Sequence, residues 1–141
     1  MKRAFFIAFA MLVAIAAPAG AAVTVGGLKY SIKDVSVQYS FGSDYMSQKP
    51  NGEFIVVRLA ISNVGSDPAN ISASDFQLHR GDTKYDAANT MANTDFFLTK
   101  LNPGTSREGN IIFDVPAHTA AEKYQLLVYG NNTGDNRSIT L

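Results

Sequence analysis

Alternation is the dominant order in this chain. From Glu53 to Asn63, Ile55, Val57, Leu59 and Ile61 fall on one face and Arg58 and Ser62 on the other, which predicts a long, central, half-buried strand. Phe54 and Val56 join the second face, so the outward side of that strand is expected to be covered near its start. Ile111, Phe113 and Val115 alternate with Ile112 and Asp114, and Leu126 and Val128 alternate with Gln125, Leu127 and Tyr129. Both runs read as core strands. Near the amino end Leu28, Tyr30 and Ile32 alternate, and then Val35, Val37, Tyr39 and Phe41 continue on a frame shifted by one residue. A one-residue slip sends every later side chain to the opposite face, so Lys33-Asp34 is expected to be a bulge or a crossing between sheets. Shorter strands are expected at Phe76 and Leu78, Thr83 to Tyr85, Phe96 and Leu98, and Ile139 and Leu141, about nine strands in all.

Turn residues separate these runs. Gly42-Ser43-Asp44 to Pro50-Asn51-Gly52 reads as a polar loop, Asn63 to Pro68 ends the long strand, and Asn102-Pro103-Gly104 has proline and glycine where a type II turn wants them. Ser72 to Asp75 and Pro116 to Glu122 have room for one helical turn each, with Ser72 and Thr119 as capping oxygens. Neither is long enough to build a helical layer. The expected fold is all-β: two antiparallel sheets face to face in a sandwich, their apolar sets interleaved.

The first segment has a different pattern. Lys2 and Arg3 precede an apolar run from Ala4 to Ala17, followed by Pro18 and the small residues Ala19-Gly20-Ala21. That is the layout of a secretory signal peptide, and the run is shorter than the roughly 20 residues a spanning helix needs. The expected division is a signal peptide over residues 1–21, cleaved before Ala22, and one domain over residues 22–141; cleavage after Ala19 is the second choice. The chain is 141 residues long, 46% apolar and 17% charged, with equal numbers of acidic and basic side chains and no cysteine. Disulfides, thiolate nucleophiles, cysteine zinc sites and a lipidated amino-terminal cysteine are therefore excluded. No basic patch for nucleic acid stands out, and no stable membrane span is expected after cleavage. Localisation is read as exported, periplasmic or extracellular.

Candidate chemistry is sparse. The two histidines, His79 and His118, share no strand face with an acid at ligand spacing and read as solvated surface residues. Asp82, Asp86, Asn89, Asn93, Thr94 and Asp95 are rich in oxygen but lack the order of a dedicated calcium loop. No metal or other cofactor is expected. Arg80-Gly81-Asp82 spells an integrin-type adhesion tripeptide at the tip of an expected hairpin, where glycine is also wanted simply for the turn. Tyr39, Phe41, Tyr45, Phe96 and Phe97 are a candidate aromatic surface or sandwich filling.

One further pattern covers most of the chain. Phe54-Ile55-Val56-Val57, Asn63 with Gly65 and Pro68, Ser74-Asp75-Phe76 with Leu78, Gly81 then Tyr85, Leu101-Asn102-Pro103-Gly104, Gly109 and Phe113-Asp114-Val115-Pro116 occur in an order that resembles a bacterial exported domain family of unknown function. That family, catalogued as telomeric-repeat-binding-factor-2-like, is similar to the mycobacterial immunoprotective extracellular antigen. The resemblance implies an immunoglobulin-like β-sandwich and an exported or lipid-anchored protein. It implies core, turn and strand-ending roles for the matching residues and transfers no catalytic residue. Lipid anchoring lacks its cysteine here. Two function classes follow: an exported noncatalytic module binding a protein or envelope component through loops or a sheet face, or a small hydrolase or metal-dependent enzyme whose site is assembled from His79, His118 and a carboxylate.

Overall fold

The computed structural model describes residues 21–39, 52–88, 95–96, 99–116, 124–129 and 136–141. Apart from Ala21, the expected signal peptide lies outside these residues, as do the loop at Gly42 to Asn51 and most of the segment from Pro116 to Glu122. The described chain forms strands β1 (Ala22–Val25), β2 (Leu28–Gln38), β3 (Glu53–Asn63), β4 (Ala69–Ile71), β5 (Phe76–Arg80), β6 (Thr83–Asp86), β7 (Thr99–Leu101), β8 (Ser106–Val115), β9 (Gln125–Tyr129) and β10 (Asn136–Thr140). One sheet runs β1-β2-β3-β8, the other β10-β9-β5-β6, and β4-β7 is a short pair; every pairing is antiparallel. The two four-stranded sheets enclose one apolar core, so the molecule is a β-sandwich of immunoglobulin-like kind.

Alternation does the sorting. Ile55, Val57, Leu59 and Ile61 face inward from β3 and meet Phe113 from β8 and Leu126 and Val128 from β9 in that core. Tyr30 of β2 packs its ring edge-on against Phe76 of β5, with centroids 5.7 Å apart, which locks the sheets across the middle. The frame shift in β2 is a bulge: Ile32 pairs with Leu59 and Asp34 with Arg58, leaving Lys33 as the extra residue. Ile32 and Val35 are both buried because of it.

The outward side of β3 is covered near its start, as its sequence implies. Phe54, Val56 and Ile112 form a second buried cluster on that face with Ala88, whose N–H donates to the Ile112 carbonyl at 2.8 Å. The chain leaving β6 thus crosses from one sheet to the edge strand of the other. Ser72 to Asp75 contains a single 3-10 turn, Ala73–Asp75, and the Asp75 carboxylate accepts the Ser72 backbone N–H at 2.9 Å. Asn102-Pro103-Gly104 closes with Thr105 N–H donating to the Asn102 carbonyl at 3.1 Å, and Gly104 takes φ +82°, the value that position of a type II turn requires.

Two expectations need correction. Phe96 does not begin a strand: it lies in a turn, Leu98 lies outside the described residues, and the strand that follows is Thr99–Leu101. Phe96 is fully buried against Phe76 and over Gly109, so its apolar side chain plugs the gap between the sheets, a role that alternation imitates. The described residues carry ten strands where about nine are expected. The two runs flanking Lys33 are one bulged strand, β2, while β1 and β4, four and three residues long, are too short to give a periodic signal and were not expected.

Candidate functional site

The outer face of the β10-β9-β5-β6 sheet carries the most organised group of polar side chains. Phe76 and Leu78 point into the core, so Gln77 and His79 must point out. Hairpin register then sets Asp86 opposite Gln77 and Lys84 opposite His79, while β9 brings Leu127 and Gln125 against the same two residues from the other side. Gln77 is the hub. Its Nε2 donates to Asp86 Oδ1 at 2.7 Å, and its Oε1 accepts the Tyr129 hydroxyl at 2.8 Å and lies 3.2 Å from His79 Nε2. Because that oxygen can only accept, the proton of a neutral His79 is assigned to Nε2. Burial, and secondarily the Lys84 ammonium, lower the His79 pKa below its usual 6.5, so the imidazole is neutral at pH 7. The result is a connected row of donors and acceptors oriented by their mutual hydrogen bonds, suited to recognising a polar partner.

The Arg80-Gly81-Asp82 triplet is at the tip of the β5–β6 hairpin. Gly81 has φ +61° and, with Asp82, is exposed. Arg80 is half-buried: its guanidinium reaches the hydroxyls of Tyr124 and Tyr85 at 3.4 Å each and stacks over the Tyr124 ring at 5.7 Å. Burial raises the Tyr124 hydroxyl pKa to about 12, against the opposing pull of Arg80. Buried Glu53 also acts on Tyr124, so one end of the sandwich gathers Glu53, Arg80, Tyr85 and Tyr124.

Asn63 organises the opposite end. It continues the inward phase of Ile55 to Ile61 and is buried, so its amide must be satisfied internally. Nδ2 donates to the carbonyls of Asp67 at 2.8 Å and Leu101 at 2.9 Å, and Oδ1 accepts Gly65 N–H at 2.9 Å. Gly27 accepts from Val64 and Gly65 at 2.9 and 3.1 Å, and a Cβ on Gly65 would stand 3.2 Å from the Gly27 Cα. Beside this clasp lies a cleft of about 490 Å³ lined by Gly26, Gly27, Gly65, Ser66, Asp67 and Asn70.

Of the other sequence candidates, His118, Asn89, Asn93, Thr94, Phe41, Tyr45 and Phe97 lie outside the described residues. Asp86 is engaged by Gln77, while Asp95 Oδ2 accepts the Asn110 backbone N–H at 2.8 Å. Among the described residues no three of His, Asp and Glu stand close enough to hold a metal ion. No helix of the described residues is long and apolar enough to cross a membrane. Sequence reasoning passed over both hubs. Asn63 was detectable, because it falls in phase with four buried aliphatics. Gln77 was not, because its partners come from β6 and β9 through pairing that no local pattern encodes.

Comparison with known proteins adds the lineage. The family described as a domain of unknown function, DUF4352, matches residues 17–137. The uncharacterized lipoprotein YcdA of Bacillus subtilis (strain 168) is 33% identical over 114 residues, 75% of this chain but only 29% of that protein's length. A crystal structure of the Bacillus subtilis lipoprotein superimposes with a TM-score of 0.67 at 24% identity, over 88% of this chain and 39% of that one. MPT63, a secreted protein of Mycobacterium tuberculosis, superimposes with a TM-score of 0.60 at 16% identity, over 88% of this chain and 94% of its own. The mycobacterial likeness read from sequence is therefore a likeness of fold. The telomeric-repeat-binding-factor label has no support in these matches, whose family is described only as of unknown function.

Proposed function

The chain belongs to the DUF4352 family, and from that premise we propose that it is an exported, noncatalytic immunoglobulin-like module that binds a protein or an envelope component through a sheet face. The observation that carries this reading is the prearranged row of Gln77, His79, Asp86 and Tyr129 on the outer face of the β10-β9-β5-β6 sheet. Rigid polar groups lose little freedom on binding, which is what a recognition surface needs. The lipoprotein and secreted relatives support export. His79 is the described member of the enzyme alternative built on His79, His118 and a carboxylate. The contact between its Nε2 and Gln77 fits a structural part in the polar row better than proton transfer to a substrate.

The test is affinity capture from the native envelope, comparing the exported chain with Gln77→Ala and Tyr129→Phe, and with Arg58→Ala on the other sheet as control. Specific capture by the parent and by Arg58→Ala, lost in the two face variants, is the expected result. Equal capture by all four would move the binding surface elsewhere. Mass spectrometry of the exported protein is expected to find Ala22 first; a retained Met1 would remove the export reading.

A further inference from the structure

The β6 edge of the β10-β9-β5-β6 sheet, unpaired among the described residues, has the geometry and charge pattern to pair with itself. At the same flank of the sandwich the edge of β8 is closed, since Ala88 N–H donates to Ile112 and Asn110 N–H donates to Asp95. β6 is different. The two-residue turn Gly81-Asp82 makes Arg80 and Thr83 the closing bonded pair of the hairpin. Antiparallel bonding alternates, so Leu78 and Tyr85 are bonded to each other, whereas Lys84 and Asp86 sit opposite His79 and Gln77 in unbonded positions. The backbone N–H and C=O of Lys84 and Asp86 therefore point away from β5, and they have no partner among the described residues. Thr83, Lys84 and Asp86 are all exposed.

We propose that β6 pairs antiparallel with β6 of a second copy of this chain, about a two-fold axis through Tyr85, joining two four-stranded sheets into one. That register sets Lys84 opposite Asp86 of the second copy, and Asp86 opposite its Lys84. Both are the residues whose backbone groups face outward, so the two pairs supply four backbone hydrogen bonds. Both side chains stand on the outer face, so each bonded pair is also a cross-strand pair of opposite charge. A lone lysine on an edge strand keeps copies apart by repulsion. Lys84 followed two residues later by Asp86 does the reverse, because the two-fold axis exchanges them. Asp86 Oδ1 accepts from Gln77, which holds the carboxylate in place and leaves Oδ2 for the lysine. The edge is only four residues long, so the contact is smaller than the roughly 1,200 Å² of a standard interface and the dimer is weak and concentration-dependent.

The experiment is sedimentation equilibrium on the exported chain up to about 1 mM, with amide hydrogen exchange at low and high concentration. The parent is expected to dimerise, with the amides of Lys84 and Asp86 gaining protection as concentration rises while that of Tyr85 is protected throughout. Asp86→Lys and Lys84→Asp each place like charges opposite and are expected to weaken association about tenfold or more. The double exchange Lys84→Asp with Asp86→Lys restores opposite charges and is expected to recover it. Lys84→Pro removes an outward donor that the hairpin does not use, so it is expected to give a folded monomer. A parent that stays monomeric at about 1 mM overturns the proposal. So does a dimer indifferent to these changes, or a double exchange that remains as weak as the single ones.

Discussion

Leu59 lies mid-strand in β3 with no exposed surface, inside the cluster shared by both sheets. Truncation there leaves a cavity that the stiff flanking strands cannot close, so Leu59→Ala is expected to cost about 2–5 kcal/mol in a denaturant melt. Tyr30 gives the opposite expectation. Its hydroxyl is buried without a hydrogen-bond partner among the described residues, and burial together with the nearby Asp75 holds it protonated far above the usual tyrosine range. The ring earns its place by packing on Phe76, and the oxygen adds only desolvation. Tyr30→Phe is therefore expected to leave stability unchanged or to raise it by up to about 1 kcal/mol, and a clear loss in the same melt would mean the hydroxyl has a partner. Gly109 is glycine because of its neighbours. A Cβ there would lie 2.8 Å from Asp95 Cβ and 2.9 Å from the Phe96 ring. Gly109→Ala is expected to lower stability by about 1–3 kcal/mol and to lift Phe96 out of its slot, visible as a shifted aromatic signal in NMR.

At the scale of elements, what could be read from sequence depended on how many residues voted. The β3 strand carries four inward aliphatics in phase and was legible to its ends, including the coverage of Phe54 and Val56. The bulge at Lys33 was legible too, because two phased runs flank it. β1 and β4 were not, since short runs of small residues have no usable period. Phe96 misled for the converse reason: a residue buried as a plug and a residue buried on a strand have the same hydrophobicity. The polar row around Gln77 depends on three strands that are remote in sequence, so its residues were visible singly and its geometry was not. Asn63 shows how one buried amide coordinates element ends, tying the end of β3 to Asp67 and to Leu101 of β7. Asn63→Ala would leave the Asp67 and Leu101 carbonyls without their amide donor and Gly65 N–H with the Gly27 carbonyl alone, and is expected to cost about 1–3 kcal/mol and to expose the loop after β3 to limited proteolysis.

For the molecule as a whole, no disulfide contributes to stability, since the sequence contains no cysteine, and burial of the shared core carries most of it. The sheets are made from distant parts of the chain. β3 is hydrogen-bonded to β2 before it and to β8 after it, and even the near ends of the β3–β8 pair, Ser62 and Ser106, are 44 residues apart. Closing such loops must precede the contacts that reward it, so refolding is expected in the millisecond-to-second range, and stopped-flow tyrosine fluorescence would check it. The β3–β8 ladder also sets the order of events at synthesis. Until β8 has left the ribosome the central strand lacks one neighbour and the core residues that β8 brings, so the nascent polypeptide is expected to stay pliant until most of it has been synthesised and to harden only then.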